Sequence, residues 1–445
     1  MPLSNHKDAA DLARVQNAGP APEDKNWFQR LGPGLVTGAA DDDPSGIGTY
    51  SANGAQFGYG LLWLVPFCLP LMIAVQEMCG RIGAVTGHGL AAVLKEHYPK
   101  WLLFACVIAL LGANIFNIYA DLNVMAASSE MLLGVPFHVA LAVITLVILL
   151  LIIFIPYHIY VKILKWLCLS LLGYVIVAVM PGVKNDWPGI IKAMLIPHLN
   201  FSSETVLAVV AFLGTTISPY LFFWQAGQTV EETIADGNSN QPGARHEPVK
   251  HAELQAIKTD TIIGMVASQV VAFFIMVCAA GTLHTQGITH IETAQDAAKA
   301  LLPLGPVAYW IFTLCILGTG MLAVPTLAGS AGYAVAETAG WRYGLYRRFS
   351  RAKAFYITIA ITVLIGYGFN WLDIISPIDA LVYSAAINGI IAPPLIIVLL
   401  LICNNKKIMS ERINHRVSNI LGWATVVFMG AAAVYLVYSM IADPS

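Results

Sequence analysis

Residues 31–58 read LGPGLVTGAADDDPSGIGTYSANGAQFG, and this stretch decides the fold. Three carboxylates, Asp41, Asp42 and Asp43, lie in the middle of an apolar segment that is long enough to cross a bilayer. Pro44 follows them, disfavours helix at the residue before it and frees backbone carbonyls. Freed carbonyls are tolerated at membrane depth only where they line a cavity or are buried in protein. The stretch therefore predicts a membrane span that is unwound at its middle, with carboxylates and carbonyls forming a hard-oxygen cation site.

A different interpretation of this stretch is a surface loop between two short segments. It is disfavoured because the flanking segments are too short to span a bilayer separately.

The composition of the whole chain is that of a membrane protein. Of its 445 residues, 57% are hydrophobic and only 11% are charged, whereas soluble domains carry about 25% charged residues. So few charges cannot cover a water-facing surface, and lipid is the expected partner. The net charge of −2 offers no basic face for nucleic acid. The seven cysteines occur singly in apolar segments, which indicates packing residues rather than a disulfide framework.

Eleven apolar segments have the length of transmembrane helices, which predicts an all-α integral membrane protein. With the N-terminus in the cytosol, 21 of the 24 Lys and Arg residues fall on the cytosolic side. We therefore expect a plasma (inner) membrane protein with a cytosolic polar tail over residues 1–30 and an external C-terminus. The predicted spans are 31–56, 60–83, 101–128, 137–156, 159–181, 203–228, 259–284, 305–333, 353–371, 379–403 and 417–441.

The sixth span is interrupted in the same way as the first. Residues 209–232 read VVAFLGTTISPYLFFWQAGQTVEE, with Thr215, Thr216, Ser218 and Pro219 at the break. A proline kink alone is common in membrane helices. Interrupted helices at matching places in two halves, however, are typical of a transporter site between repeats. An odd number of helices per unit makes the repeat inverted. The predicted units are a first repeat over 31–181 (helices 1–5), an extracellular connector over 182–202, a second repeat over 203–403 (helices 6–10), and helix 11 with the C-terminus over 404–445.

Two further polar positions inside predicted spans are candidates for a role in transport. Asp121 is a deep carboxylate of the third span, and Asn114 and Asn117 precede it at helical spacing, so the three share one face. Asn388 of the tenth span lies on a helix that could face the breaks. Ionisable residues at this depth mark ion or proton pathways more often than they mark packing.

The motifs resemble those of the Nramp family of divalent-metal transporters over most of the chain, residues 31–441. The start of the first span, through Asp43 and Pro44, resembles the family pattern LGPxxxxxxxxxDPGN. QEMCGRIGAVTGHGL (76–90), LGTTISPY (213–220) and AQDAAKALLPLGPVAYWIFTLCILGTG (294–320) resemble its second-helix, sixth-helix and helix-8 patterns. The resemblance implies a LeuT-type fold of five plus five inverted helices and transport by alternating access, with no enzymatic activity and no resident cofactor.

The chain departs from the family at the expected ligands. The family holds its metal with the Asp and Asn of DPGN and a Met of helix 6, whereas this chain has Gly46 and Ser218 at the last two positions. Tyr220 replaces the family's histidine after the helix-6 proline, and Asp121 lies where the family usually has Glu. Loss of a soft thioether disfavours thiophilic metals, and small residues leave room for the water that Mg²⁺ retains. The chain is therefore most like the Nramp-related magnesium transporters, with Mg²⁺ and also Mn²⁺ as substrates and weak or absent proton coupling.

The predicted site combines both breaks with the deep polar residues. Asp43 is the expected central ligand. The other expected metal ligands are Ser45, Gly46, Thr215 and Ser218, and the expected pathway residues are Ala40, Asp42, Asp121, Tyr220 and Asn388.

Three other functions remain open at this point. A proton-coupled Mn²⁺/Fe²⁺ importer would use Asp121 as its proton carrier. An organic-solute transporter of the same fold would bind a substrate carboxylate, which Asp41 to Asp43 would repel. A membrane prenyltransferase would also use clustered aspartates for Mg²⁺, but it needs a second acidic cluster and basic residues for pyrophosphate.

Overall fold

The computed structural model describes residues 37–442 apart from 39, 156–170, 182, 184, 198–201, 240, 245–247 and 373–374. The predicted N-terminal tail and most of the fifth predicted span lie outside the described residues. The described chain is a bundle of α-helices with two short 3₁₀ segments, His284–Gln286 and Lys299–Leu304. In chain order the α-helices are α1 Pro44–Phe57, α2 Leu64–Thr86, α3 Leu90–His97, α4 Lys100–Leu133, α5 Phe137–Phe154, α6 Leu172–Val179, α7 Trp187–Leu195, α8 Ser203–Thr216, α9 Pro219–Ala235, α10 His251–Thr282, α11 Ala294–Ala298, α12 Val307–Ala339, α13 Lys353–Phe369, α14 Pro377–Cys403, α15 Lys406–Met409 and α16 Arg416–Ala442.

Each of the eleven predicted spans contains a helix in the described part of the chain. Eight helical segments there are long and apolar enough to cross a membrane, with α8 and α9 together forming one of them. The helix of the ninth span, α13, is shorter at 17 residues. The first and fifth spans are represented by the shorter helices α1, of 14 residues, and α6, of 8 residues. The apolar pattern therefore located the helices correctly.

The helix ends differ from the apolar boundaries at several places. The helix of the seventh span begins at His251 instead of 259, and that of the eighth continues to Ala339 instead of 333. Hydropathy marks only the length of a helix that crosses the hydrocarbon layer, and these helices continue beyond that layer with more polar residues. The predicted connector 182–202 also contains a helix, α7.

The sixth span breaks where its sequence predicts. Ser202 begins α8 by accepting a hydrogen bond from the Thr205 N–H at 3.2 Å, and the helix ends at Thr216. A new helix, α9, begins at Pro219. Proline is favoured at a first helical position because its missing N–H has no partner there and its fixed φ is already helical.

Glycines let the helices around the two breaks touch backbone to backbone. A Cβ on Gly214 of α8 would lie 1.9 Å from the Ala385 carbonyl oxygen of α14, and one on Gly389 of α14 would lie 2.4 Å from the Val210 carbonyl oxygen. A Cβ on Gly38, before the first break, would lie 2.3 Å from the Gly264 carbonyl oxygen of α10. Small residues are the usual means of close helix packing in membranes. These contacts fix α8 against α14 and the start of the first span against α10.

Candidate metal centre

The first span is unwound at Asp42 and Asp43. Residues 40 and 41 are helical, Asp42 is a bend, and α1 begins at Pro44. Asp43 caps α1, because its Oδ1 accepts hydrogen bonds from the Gly46 N–H at 2.7 Å and the Ser45 hydroxyl at 2.6 Å. An aspartate at this position satisfies unpaired amides and faces the positive end of the helix dipole. The predicted break is therefore confirmed, and its central carboxylate is held in one orientation.

The second carboxylate oxygen of Asp43, Oδ2, is contacted by side chains of α4 and α9. It accepts a hydrogen bond from Asn117 Nδ2 of α4 at 3.2 Å. The Tyr220 hydroxyl of α9 lies 3.5 Å from the same oxygen and donates at 2.9 Å to the carbonyl of Ala40. Tyr220 thus connects the sixth-span break to both sides of the first.

The sixth-span break faces the first through hydroxyl groups. Thr215 Oγ1 lies 3.4 Å from Ser45 Oγ, which brings two predicted ligands together. The Ser218 hydroxyl is directed back into α8, within hydrogen-bond reach of the carbonyl oxygens of Gly214 at 2.7 Å and Thr215 at 2.8 Å. Its proton therefore replaces a donor that the helix loses at Pro219, and only its oxygen remains to serve as a ligand.

The space beside Gly46 is filled. A Cβ there would lie 3.3 Å from each of the Asp41 carbonyl oxygen, Thr215 Oγ1 and a ring carbon of Tyr50. Gly46 therefore leaves no open room in the direction of its missing Cβ, and room for water around an ion remains a prediction. An alanine here requires these neighbours to shift by a few tenths of an ångström.

The two carboxylates before Asp43 point to α10. The Ser268 hydroxyl donates to Asp41 Oδ2 at 2.6 Å and lies 3.2 Å from Asp42 Oδ1. Asp41 Oδ1 is buried without a hydrogen-bond partner. Ser268 was not singled out in the sequence, where its only signal is the polar pair Ser268-Gln269 inside the seventh apolar span.

The other two deep polar candidates are buried and unsatisfied. Neither carboxylate oxygen of Asp121 has a hydrogen-bond partner, although the residue is fully buried. The amide nitrogen and oxygen of Asn388 also lack partners. Asp121 is close enough to Asp43 to interact with it electrostatically, whereas no hydrogen bond connects Asn388 to the described site residues.

The centre concentrates negative charge away from water. Asp41, Asp42, Asp43 and Asp121 are 0–4% exposed, and within the described residues none of them has a Lys, Arg or His partner. No three carboxylate, imidazole or thiol side chains in the described part of the chain are close enough together to hold one metal ion. A cation here would therefore complete its shell with amide, hydroxyl or carbonyl oxygens or with water, as hard dications do.

The family of this chain follows from its sequence match. The model of the family described as Nramp, natural resistance-associated macrophage protein-like, matches residues 34–439. The chain belongs to the Nramp family. The resemblance of its motifs is thereby confirmed.

Individual Nramp relatives match along almost the whole chain. A divalent metal cation transporter MntH of Listeria monocytogenes is 25% identical, with 97% of this chain and 95% of the relative covered. An MntH of Aeromonas hydrophila is 26% identical over 92% of this chain and 96% of its own length. The crystal structure of a manganese transporter of Eremococcus coleocola superposes with a TM-score of 0.69 at 18% identity, covering 99% of this chain and 88% of that one.

These matches confirm three predictions. The fold is the all-helical LeuT-type fold of Nramp transporters. The relatives are metal transporters, so the chain is a membrane transporter and the prenyltransferase interpretation is wrong. The individual ligands and the repeat boundaries remain predictions.

Proposed function

We propose that this Nramp protein imports a divalent metal cation by alternating access, with Mg²⁺ preferred and Mn²⁺ accepted, and without obligatory proton coupling. The observation that carries the proposal is the group of four buried carboxylates around the first-span break, for which the described chain supplies no cationic partner. Buried charge of one sign is costly unless it is compensated. A dication in transit compensates two of these four charges.

The donor atoms at the break favour a hard ion. Asp43 offers a carboxylate, and Ser45, Thr215 and Ser218 offer hydroxyl oxygens within the same cluster. The helix-6 position that holds a thioether in the family's usual site is here Ser218. Oxygen donors suit Mg²⁺ and Mn²⁺, while thioethers select softer metals. The names of the relatives support a divalent metal as substrate, and the oxygen-only cluster supports Mg²⁺ within that class.

Weak proton coupling is supported by Tyr220. It takes the place of a histidine, the side chain whose charge changes most readily near neutral pH. Its hydroxyl bonds to the Ala40 carbonyl across the first break, which gives it a structural role in closing the site. Uptake would then be driven by the membrane potential, which is worth roughly 4.6 kcal/mol for a dication at −100 mV, or about a 2,000-fold accumulation.

The second candidate is a proton-coupled Mn²⁺ importer. It is favoured by the manganese transporter among the similar structures and by Asp121, whose unpartnered carboxylate could carry a proton. In both cases we place the protein in the plasma (inner) membrane with its N-terminus in the cytosol and its C-terminus outside, on the distribution of Lys and Arg.

Reconstitution into liposomes tests the proposal. Mg²⁺ entry and internal pH are followed together with two dyes, under an imposed inside-negative potential. We expect Mg²⁺ entry that grows with the potential, without acidification, and no entry for Asp43→Ala. Entry of Mn²⁺ with acidification, and none of Mg²⁺, would instead establish the second candidate.

A further inference from the structure

The face of α4 that meets the first break carries oxygen atoms that nothing in the described chain satisfies. Asn117 and Asp121 lie one turn apart in the uninterrupted helix Lys100–Leu133. Asn117 is fully buried, and its Oδ1 has no hydrogen-bond partner. Both carboxylate oxygens of Asp121 are also buried without a hydrogen-bond partner. Buried acceptors without donors are costly for a fold, so a ligand is the simplest reason for the retention of these three oxygens near Asp43. Asn114 Oδ1 on the same face also lacks a partner, but the amide of Asn114 is bonded to α12 and not to Asp43.

These oxygens are beside the central carboxylate. Asn117 Nδ2 donates to Asp43 Oδ2 at 3.2 Å, so its carboxamide group touches the residue expected to bind the ion. Asp121 interacts electrostatically with Asp43 and with the backbone N–H of Ser45, which does not reach hydrogen-bond geometry. Two carboxylates and one free amide oxygen therefore lie close together where α4 meets the first break.

The side of the sixth-span break is less available. The Ser218 hydroxyl is turned back to carbonyls of its own helix, and Thr215 Oγ1 faces Ser45. Both hydroxyls there already have hydrogen-bond partners within the protein. By contrast, the side-chain oxygen of Asn117 and the carboxylate of Asp121 on α4 have no hydrogen-bond partner.

We propose, on the basis of the proposed function, that the transported dication is bound between Asp43 and the α4 pair Asn117 and Asp121. The carbonyl oxygen of Asn117 is a ligand, and the Asp121 carboxylate binds directly or through a retained water. Two carboxylates balance the charge of one dication, and all donors are hard oxygens. This adds α4 to the two breaks on which the sequence analysis placed the ligands.

The carboxamide of Asn117 can present its nitrogen to the empty site and its oxygen to the ion-bound site. Without the ion, its N–H₂ donates to Asp43 Oδ2, because a carboxylate can only accept. A half-turn about its terminal torsion exchanges nitrogen and oxygen and directs Oδ1 to a cation bound at Asp43. The same side chain thus holds the central carboxylate when the site is empty and binds the ion when it is loaded.

Equilibrium binding of Mn²⁺ to the purified full chain tests this assignment, with Mg²⁺ measured by competition. Asn117→Ser and Asp121→Asn should each weaken Mn²⁺ binding by about tenfold or more, the range typical for lost support of a metal. Asn114→Ser is the matched control. It is also a buried asparagine of α4, but its Nδ2 donates to the Leu327 carbonyl and to Ser330 of α12. It should bind Mn²⁺ within about threefold of wild type.

The outcomes separate this inference from the proposed function. If wild type binds Mn²⁺ and Asp43→Ala does not, while Asn117→Ser and Asp121→Asn bind as wild type does, the α4 assignment is wrong and the transporter proposal stands. If the α4 variants lose binding but the wild type excludes Mg²⁺, the site is right and the magnesium preference is wrong. Asn117→Gln keeps the amide and provides a second variant, with Mn²⁺-dependent thermal stabilisation as its readout, should Asn117→Ser fail to fold.

Discussion

Replacing Asp43 by asparagine removes one charge from the centre while leaving its shape almost unchanged. Asparagine caps helices as well as aspartate does, so its Oδ1 can keep the bonds to the Gly46 N–H and the Ser45 hydroxyl. Its Nδ2 would face Asn117, whose free Oδ1 can turn to accept from it. The variant should therefore fold within about 1 kcal/mol of wild type.

The effect of this variant on ion binding should be much larger. Removing one partner of a buried ion pair costs about 3–5 kcal/mol, because the remaining charge is left uncompensated. That corresponds to roughly a 100- to 4,000-fold loss of affinity for the dication. Asp43 is 1% exposed, so water cannot substitute for the missing charge without opening the site.

The assay is calorimetric titration of purified protein with Mn²⁺ and Mg²⁺, together with thermal unfolding of the same preparations. Asp296→Asn is a suitable control, because Asp296 lies on the short helix α11 and pairs with Lys299 at 2.7 Å, outside the centre. It should bind metal as wild type does. A well-folded Asp43→Asn protein with affinity within about threefold of wild type would refute the placement of the ion at Asp43.

Two further predictions concern the helix-6 break and the packing around it. Ser218→Met should raise the preference for Mn²⁺ over Mg²⁺ by about tenfold relative to Ser218→Leu, which adds bulk without sulfur; equal metal preferences in liposome uptake for the two variants would exclude a ligand role for this position. Gly214→Ala should lose about 3 kcal/mol or more or fail to fold, because its Cβ would overlap the Ala385 carbonyl oxygen. Gly112→Ala in α4, with no atom within 4 Å of its Cβ, should instead gain roughly 0.5–1 kcal/mol; thermal unfolding in detergent compares the two, and similar melting temperatures would contradict the packing argument.

The helices and the first break could be predicted because their causes are local. A run of apolar residues specifies a membrane helix wherever it occurs, and Pro44 after Asp43 excludes regular helix whatever surrounds it. The same reasoning located the sixth break at Ser218 and Pro219. The meeting of the two breaks was predictable too, since their matching positions in two halves imply one shared site.

The contacts within the centre could not be predicted in the same way. Asn117 is 74 residues from Asp43 in sequence, and only the packing of α4 against α1 brings its amide to the carboxylate. Ser268 reaches Asp41 across 227 residues for the same reason. The direction of the Ser218 hydroxyl depends on which carbonyls the break leaves unpaired, and this is fixed by the course of the backbone. The presence of Gly46 and Ser218 at the family's ligand positions therefore indicated a changed site. It did not indicate which other oxygen atoms lie near Asp43.

The charge of the centre explains why the break and the carboxylates occur together. A continuous helix would satisfy its own backbone hydrogen bonds and leave none of its amides for Asp43. The Asp43 carboxylate would then repel the carboxylate of Asp121 inside the protein without compensation. The break instead directs the amides of the first turn of α1 to Asp43, which stabilises its negative charge before any cation arrives. With a dication bound as proposed, two of the four buried negative charges are cancelled, which lowers the cost of burying the loaded centre. The unwound segment thus lowers the cost of the empty site, and the proposed substrate would lower it further by pairing with Asp43 and Asp121.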